Sequence, residues 1–160
     1  MTSINIIAVG KLKEKQFAPA MEDYLKRISG YCRTCVTEIK EARLPQQPSE
    51  NQISAAIEQE GSGIMERIDK RSFVVAMCIE GILMSSEQLS EIFRQTEMEQ
   101  SGNITFVIGG SWGLSDRVKN TARLRLSMSR MTFPHQLARV MLAEQIYRAL
   151  QIMTGGKYHK

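Results

Sequence analysis

The chain has 160 residues, of which 42% are apolar and 24% charged, with a formal net charge of +4 and a pI near 9.1. That size suits one domain able to bury a real core, and the balance excludes a disordered or fibrous chain. No apolar run approaches the ~18–20 residues needed to span a bilayer. The opening run 4–9 is too short for a secretory signal and lacks a basic start, so a cytoplasmic address without membrane contact is expected.

In chain order, residues 4–9 (Ile-Asn-Ile-Ile-Ala-Val) form a buried strand ending at Gly10. Phe17, Met21, Tyr24, Leu25 and Ile28 recur every three or four residues and predict a helix stopped near Gly30. Cys35, Val36 and Ile39 suggest a second strand to about Lys40, followed by a loop with two prolines. The spacing Ser49-Glu50-Asn51-Gln52 predicts a capping box opening the next helix. Gly61 and Gly63 interrupt that helix, each at up to about 1 kcal/mol relative to Ala, so a kink or two helices are expected.

A third strand is expected over 73–79, ending at Glu80-Gly81, then a helix capped by Ser86 and bearing Leu89, Ile92, Phe93 and Met98. A fourth strand begins at Ile104, a short helix near Ser115, a fifth strand covers 124–128, and a last helix covers 135–153. Strand and helix alternate throughout, so the expected fold is α/β, a single domain over 1–160 with a mostly parallel sheet and helices on both faces. The last helix carries Leu137, Val140, Met141, Leu142, Ala143, Ile146, Ala149, Leu150, Ile152 and Met153, far more than one stripe. A helix apolar around most of its circumference is buried on two sides, one by the sheet and the other, most simply, by a second copy of the chain.

Charge placement says more than its sum. Lys11, Lys13 and Lys15 follow the first strand, while Lys157, His159 and Lys160 crowd the C-terminus, and both groups could flank one crevice. A mildly basic enzyme and an RNA-binding protein both fit. Cys32 and Cys35 form a C-x-x-C without a second pair, and the histidines lie far along the chain at 135 and 159, so structural thiols are expected and no metal.

The chemical signal concentrates in 104–135. There a core strand breaks into Gly109, Gly110, Ser111, Trp112 and Gly113, and a second strand opens into 128–133. Open α/β sheets bind ligands at such strand ends. The glycine run is neither a phosphate-binding Walker loop nor the dinucleotide fingerprint, and alone it fits a tight turn as well as a ligand loop. Ser111 and Ser129 lack a nucleophile-elbow context. His135, after Pro134, reads first as a capping or loop-packing residue. What remains suits an organic cofactor held by backbone groups, and methyl transfer asks little more of a protein than alignment.

Four stretches carry a resemblance: 107–115 (Val-Ile-Gly-Gly-Ser-Trp-Gly-Leu-Ser), 126–135 (Leu-Ser-Met-Ser-Arg-Met-Thr-Phe-Pro-His), 143–149 (Ala-Glu-Gln-Ile-Tyr-Arg-Ala) and the terminal Tyr158-His159-Lys160. In that order, with the start Ile7-Ala8-Val9-Gly10-Lys11, the chain closely resembles the RlmH family over its full length. These are bacterial SPOUT-class methyltransferases acting on N3 of pseudouridine in 23S ribosomal RNA within the assembled large subunit or the 70S ribosome. The resemblance implies a C-terminal trefoil knot over about 104–154, a homodimer paired through it, and an RNA-facing tail over 155–160.

It also implies S-adenosylmethionine contacts at Met77, Gly109, Met128, Ser129, Arg130, Met131, Thr132 and Phe133. Relatives often carry Leu where Met77 stands, and the apolar wall for the adenine is kept. His159 is the candidate proton acceptor and Tyr158 its partner or a stacking group. Arg139, Arg148, Lys157 and Lys160 are the RNA-facing candidates, the two arginines equally open to a structural or interface role. Relatives commonly place Pro before the final Tyr-His, whereas here Gly155-Gly156-Lys157 precedes it, so a looser tail is expected. Two other functions stand beside this one: a SPOUT enzyme for another RNA such as tRNA, and a ribosome-binding factor without activity.

Overall fold

The computed structural model describes residues 3–99 and 102–158. Five strands, β1 (Ser3–Val9), β2 (Arg33–Ile39), β3 (Phe73–Leu83), β4 (Asn103–Ile108) and β5 (Leu124–Ser127), form one sheet in the order β2-β1-β4-β3-β5, every neighbouring pair parallel. Parallel strands need crossovers, and four helices supply them, α1 (Ala18–Ile28), α2 (Glu50–Met65), α3 (Ser86–Met98) and α4 (Asp116–Thr121), while a fifth, α5 (His135–Met153), follows the last strand.

Alternation along the strands sorts side chains to two cores. Ile4, Ile6 and Ala8 of β1 and Ile104, Phe106 and Ile108 of β4 face α1, α3 and α5. Ile7, Val9 and Val107 face α2 and α4 instead, with Ile64 and Val118. Phe93 of α3 meets Phe106 with centroids 6.1 Å apart. Both faces are therefore apolar, as a buried parallel sheet requires.

The helix ends follow local chemistry. Ser49 and Gln52 form the expected capping box. For α3 the cap is Ser85, one residue before the expected Ser86, because Gln88 stands three residues beyond it and closes the reciprocal pair. Met98, expected on the buried face of α3, is 79% exposed at the helix end.

Two further expectations fail. Helix α2 runs unbroken through Gly61 and Gly63. A Cβ on Gly61 would stand 2.5 Å from Ser115 Oγ, and one on Gly63 2.9 Å from Ile39 Cγ2. The glycines let α2 close on its neighbours, and that packing outweighs their helix cost. Strand β3 does not stop at Glu80-Gly81 either. Its register with β5 jumps between Met77 and Ile82, so 78–81 bulge out and pairing resumes beyond. A Cβ on Gly81 would lie 2.7 Å from the Arg125 backbone, which is the close approach the bulge needs.

Helix α5 lies against both α1 and α3 and buries Leu142, Ala143, Ile146, Ala149 and Leu150 in their shared core. Much of its apolar breadth is thus used within the chain. Leu137, Val140 and Met141 stay partly exposed toward its N-terminal half.

Candidate cofactor crevice

The bulge of β3 and the carboxyl ends of β4 and β5 meet in a crevice of about 800 Å³. Its apolar wall includes Met77, Ile108 and Leu126, which pair side by side across the three strands. From β4 the chain turns at once: the Gly113 amide donates to the Gly110 carbonyl at 3.1 Å, and Gly113 takes φ +83°. Only glycine adopts that angle without strain. A Cβ on Gly109 would collide with the Gly113 backbone, so this rim is bare peptide pressed against the cavity.

The loop after β5 forms the opposite rim. Ser127 Oγ donates to the Ser129 carbonyl at 2.8 Å, and Ser129 Oγ accepts from the Met131 amide at 3.0 Å. These short bonds fold 127–131 on itself and present its backbone along the crevice. Met128, Ser129, Met131, Thr132 and Phe133 line the cavity beside Met77 and Gly109. Seven of the eight residues implied by resemblance therefore come together, although they come from β3 and from the loops after β4 and β5. Arg130 stands on the same loop but is exposed and does not line the cavity.

Other wall residues escaped the sequence reading. Glu80, on the β3 bulge, pairs with Lys119 of α4 at 2.5 Å, and the bonded ammonium holds its carboxyl below the usual carboxylate range. Nothing in the spacing of 80 and 119 announces this, since the bulge itself was unforeseen. Trp112 tips the glycine turn at the rim and is 52% exposed. His135 opens α5 and also faces the cavity; the capping role first read for it is absent, because the N-cap is Pro134 without a side-chain bond. Among the described residues no group of His, Cys, Asp and Glu could hold a metal ion, and Cys32 and Cys35 are free thiols.

The RNA-facing candidates fare unequally. Arg139 is 1% exposed. Its guanidinium donates to the Val9 and Gly10 carbonyls at 2.6 Å each and to Glu38 at 3.0 Å. This corrects the reading of Arg139 as a phosphate ligand: its donors are turned inward to the end of β1. Arg148 pairs with Glu144 at 2.5 Å and lies over the Tyr158 ring, 4.8 Å from its centroid. Lys157 is exposed. His159 and Lys160 lie outside the described residues.

Tyr158 does not line the crevice. Its ring packs edge-on against Tyr147 at 4.8 Å, and a hydrogen bond with Tyr24, then burial, pushes its phenol up to about 12. Residues 155–158 turn back on the end of α5. Gly155 takes φ +73°, the Gly156 amide returns to the Gln151 carbonyl at 2.7 Å, and Tyr158 reaches back onto the α1/α5 surface. The glycines make a turn that aims the tail.

Residues 2–159 match a family described as "Predicted SPOUT methyltransferase". Over 160 residues the chain is 42% identical to the Ribosomal RNA large subunit methyltransferase H of Oenococcus oeni, covering all of both chains. It is 44% identical over 158 residues to the protein of that name from Clostridium kluyveri, covering 99% of each. Among solved structures it resembles a probable methylase family protein from Haemophilus influenzae Rd KW20, with a TM-score of 0.55 and 14% identity, across 98% of this chain and 70% of that one. At that identity the likeness speaks for the fold alone.

Proposed function

The chain belongs to the SPOUT methyltransferase family, and we propose that it methylates N3 of a pseudouridine in 23S ribosomal RNA of the large subunit, free or in the 70S ribosome, using S-adenosylmethionine. The observation that carries this reading is end-to-end likeness to relatives named for large-subunit rRNA methylation, combined with the gathering of seven implied cofactor residues in one crevice. In the same reading the enzyme works in the cytoplasm as a homodimer and its C-terminal region is threaded as a trefoil knot.

The crevice fits the cofactor. Its apolar wall suits an adenine, and the rims at 109–113 and 128–133 offer peptide groups, with the paired Glu80 and Lys119 on the wall beside them. S-adenosylmethionine, when bound, supplies an electrophilic methyl carbon. Met77, Ile108 and Leu126 would flank the adenine, while the backbone of 128–133 holds polar edges and the Gly109 turn admits close contact. The protein's remaining tasks are to hold N3 in line with the methyl carbon and to take the N3 proton as the new N–C bond forms. His159 is assigned that proton. Tyr158, whose phenol stays protonated far above neutral pH, is suited to donate a hydrogen bond.

Tyr158 rests on the α1/α5 surface of its own chain while the crevice lies elsewhere. That separation supports a pocket completed by a second copy. So do the exposed Ile79, Ile82, Leu83 and Met131 around the crevice, an apolar border unusual for a monomer. The test is mass mapping of 23S rRNA from a strain lacking the gene, with and without the purified protein. Restored N3-methylpseudouridine is expected with the native chain, and little with His159→Ala, whose cofactor binding by calorimetry stays intact. Methylation of tRNA instead, or no methylation, would reject the reading.

A further inference from the structure

The first turn of α5 has two sides. His135 and Ala138 face the crevice. Gln136 faces the segment 11–16 that follows β1, and Arg139 faces the end of β1 itself. The Gln136 Oε1 atom accepts the amides of Lys13 and Glu14, both at 2.9 Å. Arg139 holds the Val9 and Gly10 carbonyls and Glu38, and Glu38 accepts the Leu12 amide at 2.8 Å. The two terminal nitrogens of Arg139 make this anchorage, and its Nε is buried without a partner.

An exposed loop is thus staked at Val9, Gly10, Leu12, Lys13 and Glu14 to elements more than 20 residues away. Its side chains are Lys11, Leu12, Lys13, Glu14, Lys15 and Gln16. The three lysines are exposed, and among the described residues none is in an ion pair. The loop's one acid, Glu14, accepts from Gln16. Holding a backbone rigid while leaving three ammonium groups unpaired gives no stability by itself. It does fix where positive charge stands, beside the helix turn that walls the crevice.

We infer that the 11–15 loop is a phosphate-gripping arm that binds the RNA backbone next to the target nucleotide, with Gln136 and Arg139 as positioning residues. This rests on the function proposed above and adds the surface by which the RNA is held. RNA is favoured over an acidic protein because closely spaced free ammonium groups match a regularly charged backbone.

The test measures binding of isolated large ribosomal subunits to the full-length protein across salt concentrations, with methylation followed separately. In Lys11→Gln/Lys13→Gln/Lys15→Gln, affinity should fall at least about tenfold, and the slope of log affinity against log salt should flatten by about two to three units, at roughly 0.7–0.9 per phosphate contact. S-adenosylmethionine affinity should stay at the native value. Gln136→Ala, which frees the loop but keeps its charges, should weaken binding a few-fold with the slope preserved. A native slope in the triple variant overturns the proposal; lost affinity at that slope assigns the loop to a protein contact instead. Native protein that binds subunits in a lysine-dependent way but does not methylate them sinks only the functional reading.

Discussion

Gly109 and Gly113 touch backbone to backbone, so closely that a Cβ on Gly109 would fall within the Gly113 peptide. Gly109→Ala should force the turn open toward the crevice. The expected result is at least about tenfold weaker S-adenosylmethionine binding by calorimetry, or about 1.4 kcal/mol, with roughly 1–3 kcal/mol lost from stability by overpacking. In Gly110→Ala the new methyl meets Val9 Cγ1 at 3.1 Å, a side chain able to shift, so binding should change less. Equal affinity for native protein and Gly109→Ala would remove the turn from the site.

Gly61 tests packing against propensity. In an isolated helix Gly→Ala gains up to about 1 kcal/mol. Here the methyl would stand 2.5 Å from Ser115 Oγ, the atom that caps α4 by accepting from the Val118 amide. Overpacking and a disturbed cap each cost about as much as the helix gains or more. Gly61→Ala should therefore lower the urea midpoint, and a rise would show that α2 has room to move.

Glu60 carries a pH dependence. It is 8% exposed, and its carboxyl is pushed up by burial, with Glu41 adding to the effect, while the Ala42 amide opposes it at 2.9 Å. A carboxyl with a folded-state pKa above the unfolded one binds its proton more tightly when folded. Its contribution is full below the unfolded pKa and is lost as pH rises through the folded one. Glu60→Gln keeps an acceptor for Ala42 and cannot ionise. The variant should gain stability relative to native protein as pH rises from about 4, the unfolded value, through the raised folded one in denaturant titrations. Parallel curves would contradict the assignment.

The tail's resting place is testable through Tyr158. Tyrosinate absorbance, followed in pH jumps faster than alkaline unfolding, should show one phenol titrating near 12. Tyr24→Phe removes the hydrogen bond that is the largest cause, so that phenol should ionise earlier. No change on removing Tyr24 would mean the tail is not held there in solution.

Local patterns made much of this protein legible in its sequence. Strand–helix alternation announced the parallel sheet, Ser49 with Gln52 announced a cap, and apolar periodicity bounded α5 at both ends. The order of motifs along the chain pointed to the residues of the crevice rim. Alternation, cap spacing and periodicity are short-range properties, set by dihedral preference and by which face of an element is apolar, whereas the rim residues were implied by the family resemblance. Where Gly61 would bend α2, whether β3 would stop at Gly81, and whether Arg139 faces RNA or the chain's own backbone were decided only by tertiary structure. Each depends on atoms brought within a few ångströms by distant segments: Ser115 against Gly61, Arg125 against Gly81, Val9 and Glu38 around Arg139. Close packing and desolvation act through space, and a one-dimensional pattern does not record which partner arrives.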